Sequence, residues 1–364
     1  MKTIVIAHNY TLSNFSAMSY QLAHFLAEKG YKVIFITHRP KFSEIQFLEI
    51  GKGSLTVYSW PSEKRPTTFK DFIWYAKIHL KYKPDFVIGH FVGGNISIMT
   101  SRILSLYKTK TFDYYHTISG AHFEDLDIGL KYKFFFLRKR LFYQLFCSKV
   151  ICPSEIAKAD LKSFFNYRKG IVIVNPMTDR YKDVEKINNN KIIISYLGRF
   201  EPTKGIIDLI LAFKEFKKIN QYSKIVLNLA GGGSQQQSIE SLIQGDVNIV
   251  YHGNLPYDRI DEYLRNGHFT IIPSKFDNLP TVGLESLMNA IPLLISNTTG
   301  LSPYMKDEIN CYIFPPTKEA IVKILEKVEI NFQRHSSMSN QARLLFEQKF
   351  SMAHYCTSIL KILS

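Results

Sequence analysis

The chain has 364 residues, enough for two domains of ordinary size, each with its own core. Apolar residues make up 46% and charged residues 21%, the balance of a globular enzyme, and no apolar run approaches the roughly 20 residues a membrane span needs. A net charge of +15 with 14% aromatic residues suits nucleic acid, anionic lipid or phosphorylated substrates, or reflects a Lys-rich composition alone.

The opening MKTIVIAHNY reads as a short buried strand and predicts no signal peptide. Four scattered cysteines, Cys147, Cys152, Cys311 and Cys356, lack disulfide or metal-ligand spacing and read as reduced thiols of a cytoplasmic protein. TIVIAH (residues 3–8) is followed by a helical stretch from Asn14 to Lys29 and then by VIFIT; LTVYS, DFVIGH, TFDYYH, VICPS and IVIVN continue the series. Continuous apolar strands alternating with amphipathic helices predict a parallel sheet covered on both faces.

Within this half, residues 129–149 carry six Lys/Arg, seven Phe/Tyr and no acid, with Leu130, Phe134, Leu137, Leu141 and Leu145 on one helical stripe. Either the stripe packs on the sheet while the charges are solvated, or the helix rests on an anionic bilayer surface. The alternation pauses at Asn175 to Lys191, a polar, Pro-containing and Asn-rich stretch that reads as a linker. It restarts with IIISYLG, IVLNLAG, VNIVYHG, FTIIPS and PLLIS, and the chain ends in a helical segment, FSMAHYCTSILKIL. The expected organisation is α/β, with two doubly wound, Rossmann-like domains. The first spans 1–176, a linker 177–190, the second 191–345, and a terminal helix 346–364. Ligands in such sheets bind outside the carboxyl ends of the strands, so the loops there are where function is sought.

Four loops of the second half stand out. In YLGRFEPTKG, a strand ends at Gly198, Arg199 follows, and Lys204-Gly205 opens a helix, an arrangement suited to a diphosphate. LAGGGSQQQ either approaches a phosphate or makes a tight turn; it has neither the P-loop Lys-Ser/Thr nor a full G-x-G-x-x-G. Gly253 ends a strand where backbone groups can meet a base. In FDNLPTVGLES, a helix start at Pro280 or Thr281 leaves Asp277 in the loop and Glu285 about one turn inside, with amides from Asn278 to Val282, Pro280 excepted, facing outward. Carboxylates for hydroxyls and amides for negative oxygens match what a sugar nucleotide presents.

With these motifs the second half resembles the retaining glycosyltransferases of family 4, which have the GT-B fold. An acid, seven residues and Glu, then a turn with proline and a strand, is here Asp277-x7-Glu285, Pro292 and LLIS; G-R-x4-K-G is Gly198–Gly205. The resemblance implies two domains facing across a cleft and a terminal helix crossing back to the first. It implies that Arg199 and Lys204 hold the donor diphosphate and stabilise its leaving charge. Glu285 would bond the ribose, Asp277 (usually Glu in relatives) the sugar hydroxyls, and Gly198, Gly253 and the amides of Asn278, Leu279 and Thr281 the rest of the donor. His116, ending TFDYYH, matches a family histidine beside the reacting sugar. The family's Gly-Gly loop after the first strand is replaced here, so Ser13 and Asn14 are the candidates for acceptor contacts. The donor is then a UDP-, GDP- or ADP-sugar, with no cofactor and no metal. The acceptor is a glycan or lipid-linked hydroxyl in bacterial surface polysaccharide assembly, and the enzyme is cytoplasmic or peripheral on the inner face of the membrane.

Three rival readings have distinct signatures. A metal-dependent GT-A-type transferase would use Asp125 and Asp127 as a D-x-D pair. A basic nucleic-acid-binding protein would account for the charge, although helix-turn-helix, RNA-recognition and zinc signatures are missing. A hydrolase would use Asp277 and Glu285 as acid and base.

Overall fold

The computed structural model of the protein describes residues 1–9, 14–62, 64–91, 93–116, 118–119, 130–182 and 190–364; for residues 14–16 and 130–133 only the backbone is described. The chain divides into two compact units, Met1–Thr178 together with Met352–Ser364, and Asp179–Ser351. Part of the expected linker, residues 183–189, lies outside the described residues.

The first unit is built on eight strands: β1 (Thr3–Ala7), β2 (Lys32–Thr37), β3 (Gln46–Ile50), β4 (Gly53–Ser59), β5 (Phe86–Gly89), β6 (Lys110–Tyr114), β7 (Lys149–Cys152) and β8 (Gly170–Val172). Their order is β3-β4-β2-β1-β5-β6-β7-β8, and only the β3–β4 pairing is antiparallel. Among the described residues five helices lie between them: α1 (Asn14–Glu28), α2 (Phe69–Tyr82), α3 (Gly94–Leu104), α4 (Leu130–Phe146) and α5 (Glu155–Phe165). The side chains of β1 are buried along its whole length, because a parallel strand in mid-sheet has a covered layer on each face. β3 was not expected. QFLEI has apolar residues without the strict alternation of a half-buried strand; it is an exposed edge strand, and its antiparallel partner sets it in place.

The second unit has six strands, all parallel: β9 (Ile192–Leu197), β10 (Ile225–Ala230), β11 (Ile249–Tyr251), β12 (Phe269–Ile272), β13 (Leu293–Ser296) and β14 (Cys311–Phe314), in the order β11-β10-β9-β12-β13-β14. Helices α6 (Ile206–Ile219), α7 (Gln236–Ile243), α8 (Ile260–Arg265), α9 (Thr281–Met288), α10 (Lys318–Ile330) and α11 (His335–Leu345) accompany them. Phe213, Phe216, Leu227, Ile271, Leu294 and Leu325 belong to one continuous core.

The closing segment is two elements. Phe346–Phe350 forms a wide helical turn whose two phenylalanines are buried in the second unit. Ser351 is extended, and helix α12 (Met352–Leu363) then joins the first unit, where Tyr355, Cys356, Ile359 and Leu363 enter the core and the Tyr355 hydroxyl bonds that of Tyr114. All four cysteines are buried free thiols, and burial pushes the Cys152 and Cys356 thiols up to about 12. No helix among the described residues is long and apolar enough to cross a membrane.

Candidate functional site

In a doubly wound sheet the crevice opens where the strand order reverses. In the second unit the chain runs from β9 outward to β10 and β11, then returns to place β12 on the other side of β9. The β9 and β12 loops therefore flank the switch point, and they carry the expected residues. Lys204 ends a short 3-10 turn (Pro202–Lys204) after β9, and Asp277 follows β12; Lys204 Nζ donates to Asp277 Oδ2 at 2.5 Å. Two residues expected in separate roles thus form one ion pair across the switch point, each side chain about four-fifths buried.

The backbone around this pair is tightly specified. Gly205 has φ +68°, and a Cβ there would lie 2.3 Å from the Pro273 carbonyl oxygen, so no other residue fits between the β9 and β12 loops. Gly231, at φ +127°, brings its backbone against Gly198, where a Cβ would sit 1.9 Å from the Gly198 oxygen. Phe200 N donates to Gly232 O at 2.8 Å, Gln235 N to Phe200 O at 3.0 Å, and Gly231 N to Gly253 O at 2.8 Å. The glycine-rich stretch is therefore a turn whose glycines permit loop-on-loop packing, the plainer of its two readings. It braces the Gly198–Gly205 loop, and Ser234 adds a hydroxyl and an amide to Glu201. Lys275 N bonds Thr203 O at 2.9 Å and ties the β12 loop to the 3-10 turn. Arg199 is exposed and, among the described residues, forms no ion pair; the Tyr196 hydroxyl donates to its carbonyl at 2.9 Å.

Helix α9 begins at Thr281 after Pro280, as expected, so the first amides of the helix lie beside Asp277. Leu279 is buried, whereas Asn278 and Thr281 are half-buried. Glu285 sits one turn inside and is only 4% exposed. Near it is a network that sequence reading missed. Arg180 makes a two-point contact with Asp261 at 2.8 and 3.1 Å; Asn289 Nδ2 bonds both Asp261 Oδ1 and Glu285 O at 2.9 Å; and Glu285 contributes to holding the Arg180 guanidinium charged. Arg180 was hidden because it lies in the stretch read as linker.

The first unit has its own switch point, between β1 and β5. His8 follows β1, His90 follows β5, and His116 follows the neighbouring β6. His8 Nδ1 bonds Ser19 Oγ at 2.7 Å, Ser19 Oγ bonds His90 Nε2 at 3.3 Å, and His90 Nδ1 bonds His116 Nε2 at 3.1 Å. The rings stack as well, His8 on His90 at 4.3 Å and His90 on Tyr114 at 3.9 Å. Burial drives the His8 and His116 pKa values down to about 3 and that of His90 well below its usual value, so the chain is neutral. Three neutral imidazoles and a hydroxyl supply four protons for three links; the Ser19 hydroxyl donates to at most one of its two histidines, and the sense of the His90–His116 bond fixes which nitrogen of His116 carries hydrogen. The signal was in plain view: TIVIAH, DFVIGH and TFDYYH each end in histidine. Ser13 and the side chain of Asn14 lie outside the described residues, as do Asp125 and Asp127. Among the described residues no group of three or more His, Cys, Asp or Glu is placed to hold a metal ion.

The profile described as "Glycosyl transferases group 1" matches residues 177–345, and that of "Glycosyltransferase Family 4" matches residues 16–180. The chain belongs to glycosyltransferase family 4. An uncharacterized glycosyltransferase of Methanocaldococcus jannaschii, MJ1607, is 27% identical over 222 residues, 56% of each chain. A lipopolysaccharide 1,2-N-acetylglucosaminetransferase of Salmonella typhimurium is 22% identical over 229 residues, 56% of this chain and 58% of that one. These matches span little more than half of either relative. Anabaena Alr3699/HepE, solved in complex with UDP, aligns over 100% of this chain and 99% of its own with TM-score 0.71 at 14% identity. The fold of this family 4 chain is GT-B.

In this family 4 chain the exposure of helix α4 bears on one of its two readings. Phe134 is 70% exposed, and Leu137, Leu141 and Leu145 are about half exposed; the helix packs instead through Tyr143, whose ring meets Tyr115 and Phe165. The reading in which the apolar stripe packs on the sheet is wrong for these four residues. The inner face needed large aromatic rings to fill the gap to α5, which leaves the leucines outward. Leu130's side chain lies outside the described residues.

Proposed function

We propose that this chain is a retaining hexosyltransferase that moves a sugar from a nucleoside-diphosphate sugar to an acceptor hydroxyl without a metal ion. The observation that carries this is the Lys204–Asp277 pair across the β9/β12 switch point, beside Arg199 and the first turn of α9. A donor diphosphate set there meets the Lys204 ammonium, the Arg199 fork and the amides of Asn278, Leu279 and Thr281. These are fixed positive groups where the departing diphosphate gains charge, which is what stabilises the transition state. Asp277 steers Lys204 and offers its other oxygen to a sugar hydroxyl. Glu285 takes the ribose, with Gly198 and Gly253 giving the base and phosphates close backbone approach. His116, kept neutral by burial, bonds a hydroxyl of the reacting sugar; Ser13 and Asn14 are the acceptor candidates.

The acceptor we propose is lipid-linked, in surface glycan assembly at the inner face of a bacterial membrane. The outward stripe of α4, flanked by Arg138 and Arg140, supports a resting place on anionic lipid. The likeness to the Salmonella lipopolysaccharide 1,2-N-acetylglucosaminetransferase supports the setting.

The test is release of nucleoside diphosphate from UDP-, GDP- and ADP-sugars with EDTA present, with and without a polyprenyl-phosphate-linked sugar acceptor. The reading predicts acceptor-dependent release with retained anomeric configuration in the product. Release that never exceeds hydrolysis contradicts transfer, and activity lost to EDTA and restored by Mn²⁺ revives the Asp125/Asp127 alternative. Steeply salt-dependent binding to random nucleic acid with no sugar transfer favours the nucleic-acid reading.

A further inference from the structure

The amino ends of the parallel strands lie opposite the histidine chain, and in the first unit they carry a second concave site. A cavity of about 510 Å³ opens where β1, β5 and β6 begin and where helices α2 and α3 end. Its wall includes Lys2, Lys83, Lys108 and Lys110, with Asp85 the one acid. The volume falls in the range of small-ligand sites.

Four ammonium groups in one concavity need a reason, and the obvious ones are already met elsewhere. Among the described residues none of the four forms an ion pair or donates a hydrogen bond from its Nζ, whereas Asp85 Oδ2 accepts from Thr3 N at 2.7 Å. The helix ends do not require them either. His79 O is capped by Lys83 N at 2.7 Å, Ser101 O and Ile103 O by the amides of Ser105 and Leu106, and Arg102 spans the Tyr107 and Thr109 carbonyls at 2.7 and 3.0 Å. Lys2 and Lys110 converge over Phe86 at 5.4 and 5.8 Å from its ring centre. His79 is buried against Ser101, which lowers its pKa, so it adds no charge. Setting four cations against Asp85 and about half a negative charge from each of the two helix ends leaves about +2 facing the cavity.

We propose that this cavity binds a phosphate group, with Lys2, Lys83, Lys108 and Lys110 as its ligands. The site is separate from the second unit's switch point, and its occupant is either a soluble phosphorylated compound or the headgroup of an anionic lipid. The rim favours neither source alone: Leu80 and Leu104 are exposed on the lining, next to lysines.

Inorganic pyrophosphate titrated by calorimetry and sedimentation with phosphatidylglycerol vesicles separate the two sources. Each is run on the full chain, on Lys108→Gln/Lys110→Gln, and on a control pair from the same unit, Lys41→Gln/Lys77→Gln. All four positions are exposed, so folding is retained. The proposal predicts that one ligand binds and that the 108/110 pair weakens it at least about tenfold while the control pair does not. Pyrophosphate binding with that dependence assigns a soluble source, and vesicle binding with it assigns a headgroup. If neither ligand binds, or both lysine pairs weaken binding equally, the site is no more than general surface charge and the proposal fails.

Discussion

Both units place a polar constellation at the same topological position, yet with opposite electrostatics. The second unit's switch point holds charges, Lys204 paired with Asp277 and Arg199 exposed beside them. The first unit's holds a chain of three buried imidazoles that burial keeps neutral. A doubly wound sheet thus fixes where side chains converge, while the residues that end each strand decide whether the place handles charge or hydrogen-bond direction. A diphosphate needs the first kind of site, and a sugar hydroxyl needs the second.

The largest expected effect breaks the charged side of this comparison. Lys204→Ala should lower transfer by about 100- to 1,000-fold, the worth of one fixed donor on a developing anion, with unchanged circular dichroism. Near-normal turnover in a steady-state assay would remove Lys204 from the diphosphate.

The neutral side is broken by acid. A histidine held neutral in the fold keeps its full contribution above its unfolded pKa near 6.5 and loses it as pH falls toward 3. At pH 5 His8 and His116 each cost about 2 kcal/mol, and His90 adds to the loss in the same direction. Asp113 runs the other way: burial lifts it to about 7 against the pull of Lys139, so its burial is least costly below pH 4 and it returns about 2 kcal/mol between pH 7 and 5. The histidines outweigh Asp113, so the first unit loses stability as pH falls from 7 to 5. Both tryptophans, Trp60 and Trp74, lie in the first unit, so their fluorescence follows its unfolding alone. Imidazole resonances that titrate near pH 6.5 would contradict the neutral chain.

Two substitutions sharpen the contrast. Gly205→Ala should cost about 3 kcal/mol by chemical denaturation, since it combines a left-handed φ with a clash against Pro273 O in the loop that carries Lys204. Ser19→Ala should cost about 2 kcal/mol through two lost buried hydrogen bonds. It should also decouple His116 from His8, seen as a changed ¹⁵N tautomer signature of His116; an unchanged signature would show that the chain does not set the tautomer.

Much of this was legible in residue order. The alternating apolar runs located twelve of the strands, and the acid-x7-Glu segment placed α9 within one residue of its start, because buried parallel strands and a Pro-led helix write their own signals. What stayed hidden depended on tertiary pairing. β3 lacks regular alternation and is made by its neighbour; Arg180 reads as linker until Asp261 is beside it; Ser19 is an ordinary helix residue until two histidines reach it. The α4 stripe misled for a related reason: helical spacing shows that one face is apolar but not which way that face turns. Glycines in the Gly231 loop could have met a phosphate or a second loop, and only the approach of Gly198 decides.

Hydrogen exchange of the full chain with UDP, GDP and ADP tests the central claim most directly. One of the three should slow exchange at residues 198–205 and 277–285, and Lys204→Ala should abolish that protection while exchange around His8, His90 and His116 stays as it was. Protection confined to the first unit, or protection of 198–205 that survives Lys204→Ala unchanged, would contradict the account.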